Sequence, residues 1–82
     1  MSNTEQSQVL LVEAQGLRCP EPVMLLHAAV RQSEAGGLIR LLATDPSTQR
    51  DVVNFCRFLD HELIEQSDTD GQFSYLIRKA GA

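Results

Sequence analysis

Pro20 and Pro22 stand two residues apart, directly after Cys19, and constrain the local fold more than any other feature of the chain. A proline has no amide hydrogen and a fixed φ, so two in close succession exclude both a strand interior and a helix interior. They suit the first turn of a helix, where the N–H groups have no intrahelical partner. A residue before proline favours extended backbone, which keeps Cys19 outside the helix with its sulfur projecting. The pattern therefore predicts a helix over 21–34, stopped by Gly36-Gly37. Pro22 also disfavours helical geometry at Glu21, which makes Pro22 an alternative first helical residue.

Punctuation elsewhere sets the order of the remaining elements. Val9-Leu10-Leu11-Val12 is short, apolar and half β-branched, and reads as a strand broken by Gly16. A second strand is expected over 38–43. Asp45-Pro46 reads as an N-cap with proline at the first helical position, giving a second helix over 46–60. Strands over 63–67 and 72–79 meet at Asp70-Gly71, a common hairpin pair. In the last strand Phe73, Tyr75 and Ile77 share one face, and Ser74, Leu76 and Arg78 the other. The expected fold is a two-layer α/β sandwich of βαβαββ order, with a mixed four-stranded sheet and two helices on one face. Residues 1–8 are polar and read as a flexible tail, and 9–82 as a single domain.

Composition narrows the partners. Eleven acidic against seven basic side chains give net −4, which opposes direct nucleic-acid binding and suits a chain that meets proteins. With no signal-like start and no apolar run of spanning length, a cytoplasmic address away from the membrane is expected. Two cysteines, Cys19 and Cys56, are too few for a disulfide framework and fit a reducing compartment.

The two thiols separate by position. Cys19 is expected at the first helix's N-terminus, where the helix dipole, free N–H groups of Glu21 and Val23, and the charge of Arg18 would favour the thiolate. The thiolate is the nucleophile, so Cys19 is the candidate reactive residue and Arg18 its electrostatic support. Val52, Cys56, Leu59 and Leu63 recur at helical spacings, so Cys56 is expected in the core. Met24 and Phe58 fall off the apolar stripes of their helices. A flexible methionine and an exposed aromatic near a reactive group suit a docking patch. Asp45 is expected to cap the second helix, with a contact role open, and Glu21 lies beside Met24. His27 and His61 read as solvated side chains, Arg78-Lys79 as a solvated end, and no metal-site spacing or phosphate loop is present.

Leu17-Arg18-Cys19-Pro20-Glu21-Pro22-Val23-Met24 resembles the Cys-Pro-x-Pro signature of the TusA/SirA/YedF family of sulfur carriers. Asp45-Pro46 with Asp51, Phe55-Cys56, His61-Glu62-Leu63 and Tyr75-Leu76-Ile77-Arg78-Lys79 follow that family in order and spacing. The resemblance covers nearly everything after Val9. It implies the fold of the C-terminal domain of translation initiation factor three. It also implies a sulfurtransferase that needs no cofactor or metal. Cys19 would accept persulfide sulfur from a cysteine desulfurase and pass it to a TusBCD-like relay complex, toward 2-thiolation of the tRNA wobble uridine. Glu21, Met24, Asp45 and Phe58 are the expected partner contacts, and the free protein is expected to be a monomer. His27 stands where related proteins often carry Lys or Arg. Three other readings stay open from sequence. They are a redox domain cycling a Cys19–Cys56 disulfide, a carrier in another sulfur or selenium pathway, and a nucleic-acid module suggested by fold alone.

Overall fold

A computed structural model describes residues 9–81, so the tail expected over 1–8 lies outside the described residues. Six elements follow the expected order: β1 Val9–Ala14, α1 Glu21–Gln32, β2 Leu38–Ala43, α2 Thr48–Leu59, β3 Glu62–Thr69 and β4 Gln72–Arg78. They form one mixed sheet in the order β1-β2-β4-β3, with β1 parallel to β2 and the other neighbours antiparallel. Both helices pack on one face.

Local chemistry explains where the elements depart from expectation. Helix α1 begins at Glu21, with Pro20 in the N-cap position. It ends at Gln32 because Ser33 turns extended, its hydroxyl bonding the Ala29 carbonyl and its N–H the Val30 carbonyl. The glycines serve the next connection. Gly36, at φ 81°, donates to the Lys79 carbonyl, and Lys79 donates back to Gly37. Helix α2 starts at Thr48, two residues after Pro46, and stops at Asp60, which takes the left-handed conformation at φ 63°. The hairpin turn has positive φ at both Asp70 and Gly71, as a two-residue turn matching strand twist requires. Strand β3 runs longer than expected. A bulge between Leu63 and Glu65 lets its polar second half keep pairing with β4.

Strict alternation in β2 and β4 buries Ile39, Leu41 and Ala43 with Phe73, Tyr75 and Ile77 against the helices. Leu26, Ala29 and Val30 of α1 and Val52, Phe55 and Cys56 of α2 complete the core. Leu59, expected in the buried stripe, is 43% exposed at the last residue of α2, and Phe55 fills the core position instead. On the opposite sheet face Arg40 reaches Ser74 at 2.7 Å and Glu65 at 3.4 Å, so its charge is satisfied.

One buried polar chain ties this core to the surface. The Thr48 hydroxyl donates to the Asp45 carbonyl at 2.7 Å and also contacts the Tyr75 hydroxyl at 2.8 Å. Thr48 has a single hydroxyl proton, so Tyr75 is the donor to Thr48. A tyrosine on β4 thereby fixes the turn that carries Asp45.

Candidate functional site

Strands β1 and β2 are parallel and end side by side at the buried pair Ala14 and Ala43. The two loops leaving them are therefore neighbours, at the strand ends where α/β folds commonly place their sites. Gly16, at φ 81°, donates to Thr44 Oγ1 at 2.9 Å and closes the first loop onto the second. Cys19 lies at the end of that loop, exposed, and its N–H donates to Asp45 Oδ2 at 2.7 Å. The other oxygen, Oδ1, accepts the Ser47 N–H at 3.0 Å. The N-cap of α2 is Ser47 and not Asp45 as expected; Asp45 stands two residues earlier, where its carboxylate closes the turn into α2 and pins the cysteine backbone. Those two N–H donors, with the charge of Arg18, hold its carboxyl below the usual carboxylate range.

The thiol itself departs from expectation. Its pKa is raised, first by a hydrogen bond to the Asp51 carboxylate, then by partial desolvation and the charge of Asp51, with Asp45 adding in the same direction. Only the Ser47 hydroxyl pulls the other way. The expected lowering by Arg18 and the helix start is not seen, because Asp51 of α2 and Asp45 of the turn before it both act on the thiol in the raising direction. Nor is the Glu21 N–H free for an anion, since it donates to the Arg18 carbonyl at 2.8 Å.

Beside Cys19 runs an open, mainly apolar groove of about 370 Å³ between the helices. Helix α1 contributes Val23 and His27, one turn apart. Helix α2 contributes Asp51, Asn54, Phe55 and Phe58, at the spacing of one helical face. Phe55 forms the floor. The His27 ring meets it edge-on at 4.7 Å, and the His61 ring stacks on it at 5.5 Å. His61 is not a solvated side chain: its Nδ1 accepts the Ala80 N–H at 2.8 Å, and burial, aided by the charge of Lys79, lowers its pKa. Lys79 is likewise engaged, donating to the Ser33 carbonyl at 2.6 Å.

The structure brings Cys19 and Phe58 to one groove, Phe58 being 84% exposed, and sets Asp45 against the Cys19 backbone. Met24 is 60% exposed and Glu21 also exposed, both on the first turns of α1 outside the groove's lining. Cys56 is buried at 4% exposure, and burial pushes its thiol up to about 11. Both cysteines are free. Ser47 and Phe55 join the candidate site, and Asp51 lines the groove with Cys19. Phe55 and Asp51 are legible only as an i, i+4 pair once the α2 face toward Cys19 is known. Among the described residues, no helix is long and apolar enough to cross a membrane.

The family model described as Sulfurtransferase TusA matches residues 11–79. The sulfur carrier protein TusA of Pseudomonas putida is 56% identical over 69 residues, covering 84% of this chain and 86% of the relative. The protein of the same name from Pseudomonas fluorescens is 51% identical over 80 residues, covering 96% of each. In structure, a SirA-like protein from Desulfitobacterium hafniense superposes with a TM-score of 0.77 at 21% identity, over 89% of this chain and 99% of that one. This last likeness concerns the fold.

Proposed function

Because the chain belongs to the TusA family of sulfur carriers, we propose that Cys19 carries the sulfur as a persulfide. It takes the sulfur from a cysteine desulfurase and hands it to a relay protein of TusBCD type, toward 2-thiouridine at the tRNA wobble position. The observation that carries this reading is the exposed Cys19 thiol on a backbone pinned by Asp45, beside an apolar groove open to solvent. A carrier must offer one sulfur to two proteins in turn, so the thiol needs exposure, a fixed position and a surface for docking.

The transfer conserves electrons. Cys19, as thiolate, attacks the outer sulfur of the donor's persulfide. A new S–S bond forms to Cys19, the donor's S–S bond breaks, and its electron pair leaves on the donor's own sulfur as thiolate. The product is Cys19–S–SH. An acceptor thiolate repeats the step on the outer sulfur and returns Cys19 as thiolate. The exchange is redox-neutral and asks for no cofactor. Phe58 and Met24 offer exposed apolar contact, and Glu21 and Arg18 offer charge beside the cysteine. A reducing, cytoplasmic setting keeps such a thiol free. Cys56, buried, stands outside the cycle.

Incubation with a desulfurase and cysteine, followed by intact mass spectrometry, tests the reading. One added sulfur is expected on the wild type and on Cys56→Ser, and none on Cys19→Ser. Loading of Cys19→Ser refutes it.

A further inference from the structure

The residues that hold Cys19 in place are themselves held from inside the core. The loop ending at Cys19 is tied to the loop after β2 at consecutive residues. Gly16 N–H donates to Thr44 Oγ1 at 2.9 Å, and Cys19 N–H to Asp45 Oδ2 at 2.7 Å. The Asp45 carbonyl in turn accepts twice from Thr48, from its N–H at 3.0 Å and from its hydroxyl at 2.7 Å. Tyr75 donates to that hydroxyl at 2.8 Å. Thr48 and Tyr75 are both fully buried, and Tyr75 is paired on both sides, to Leu41 of β2 and Gln66 of β3. A central strand is the least mobile anchor that a sheet offers. Stability alone does not ask for these two hydroxyls. Valine and phenylalanine of the same shape would fill the two places at little cost, because replacing both partners of a buried bond leaves no orphan. What the hydroxyls add is direction: they aim the turn at Asp45, whose carboxylate accepts the Cys19 N–H.

We propose that Tyr75 and Thr48 are positioning residues for sulfur transfer: the buried bonds from Tyr75 through Thr48 to Asp45 fix the backbone of Cys19, and so the place at which its sulfur is offered. This rests on the carrier reading above. Cys19 is exposed at the end of a loop, with the bond to Asp45 as its tie to the second loop. Transfer needs its sulfur in line with the S–S bond of the donor, and later its outer sulfur in line with the acceptor thiolate. Neither Thr48 nor Tyr75 lines the groove beside Cys19, so both act through Asp45. A loosened turn lets the thiol wander. That slows a reaction between two docked proteins, but not one with a small reagent that diffuses to the sulfur from any direction.

The test compares the wild type with the double variant Thr48→Val with Tyr75→Phe, which removes both hydroxyls together. Single-turnover transfer from a persulfide-loaded desulfurase should lose about threefold or more in maximal rate, with the half-saturating concentration little changed. Alkylation of Cys19 by iodoacetamide, read on its own peptide, should keep the wild-type rate. Amide hydrogen exchange, read by NMR, should speed about threefold or more at the Cys19 N–H while the β4 amides keep their protection. Thr48→Ser alone keeps the hydroxyl and should match the wild type in all three. Transfer at the wild-type rate, a Cys19 amide that exchanges no faster, or an iodoacetamide rate that falls along with transfer overturns the proposal. So does β4 protection lost together with that of Cys19, which would make the hydroxyls merely structural, or a Thr48→Ser protein as slow as the double variant. The exchange reading uses no sulfur donor and so separates the two claims. Absence of sulfur uptake by the wild type sinks the carrier reading, and uptake at equal rates in both proteins sinks the positioning role.

Discussion

The two thiols of this chain are both raised in pKa, and for unlike reasons. Cys56 sits in the sheet–helix core, where lost hydration alone disfavours its anion. Cys19 stands in the open, where a neighbouring carboxylate contributes most. Burial can be reversed only by opening the fold. A carboxylate can be neutralised by whatever docks beside it. Two thiols suppressed in the same direction therefore differ in whether a partner can release them, and only the Cys19 arrangement suits a group that must react on cue.

The largest expected consequence is kinetic. Iodoacetamide should modify Cys19 in the native protein, while Cys56 should react about a thousandfold or more slowly, because it waits for an opening whose equilibrium is set by stability. Comparable rates in a peptide-resolved alkylation would break the contrast. Next in size is a stability difference. Cys56→Ser places a hydroxyl in the core and should cost about 1–3 kcal/mol, whereas Cys19→Ser should leave the urea midpoint where it is. Equal losses would mean that the exposed thiol is structural.

The smallest effect sharpens the comparison at the Asp45 turn. Its carboxyl is held low in the folded chain by the Ser47 and Cys19 N–H groups. The stability it contributes is fully present above the unfolded carboxylate value, near about 3.9, and is lost as pH falls through the lower folded value. Asp45→Asn should flatten that acid limb in urea titrations taken at successive pH values. A limb of unchanged slope would remove Asp45 from the account of how Cys19 is held.

The order of elements was legible because it depends on local chemistry: the proline pair, the Asp70-Gly71 turn and the alternation through Phe73, Tyr75 and Ile77 each act within a few residues. The helix ends were less so. Ser33 stops α1 with its own side chain, and Asp60 ends α2 in a conformation more usual for glycine. The sheet's length beyond Ser67 depends on a bulge, which hydrophobic pattern does not reveal. At the site, the exposure of Cys19, Met24 and Phe58 could be read from motif and helical phase. The electrostatics could not. The sign of the field at Cys19 comes from Asp45 and Asp51, more than twenty-five residues away in sequence, and they meet it only because β1 and β2 are parallel neighbours. A nearby Arg18 and a helix start suggested the opposite sign.

The central claim is that transferable sulfur resides on Cys19, and peptide-resolved mass spectrometry of the loaded protein, before and after addition of an acceptor thiol protein, tests it most directly. The account predicts one extra sulfur on the peptide containing Cys19, gone after the acceptor is added, with the peptide containing Cys56 unmodified throughout. Sulfur on Cys56, or sulfur that stays on Cys19 when the acceptor is present, would contradict it.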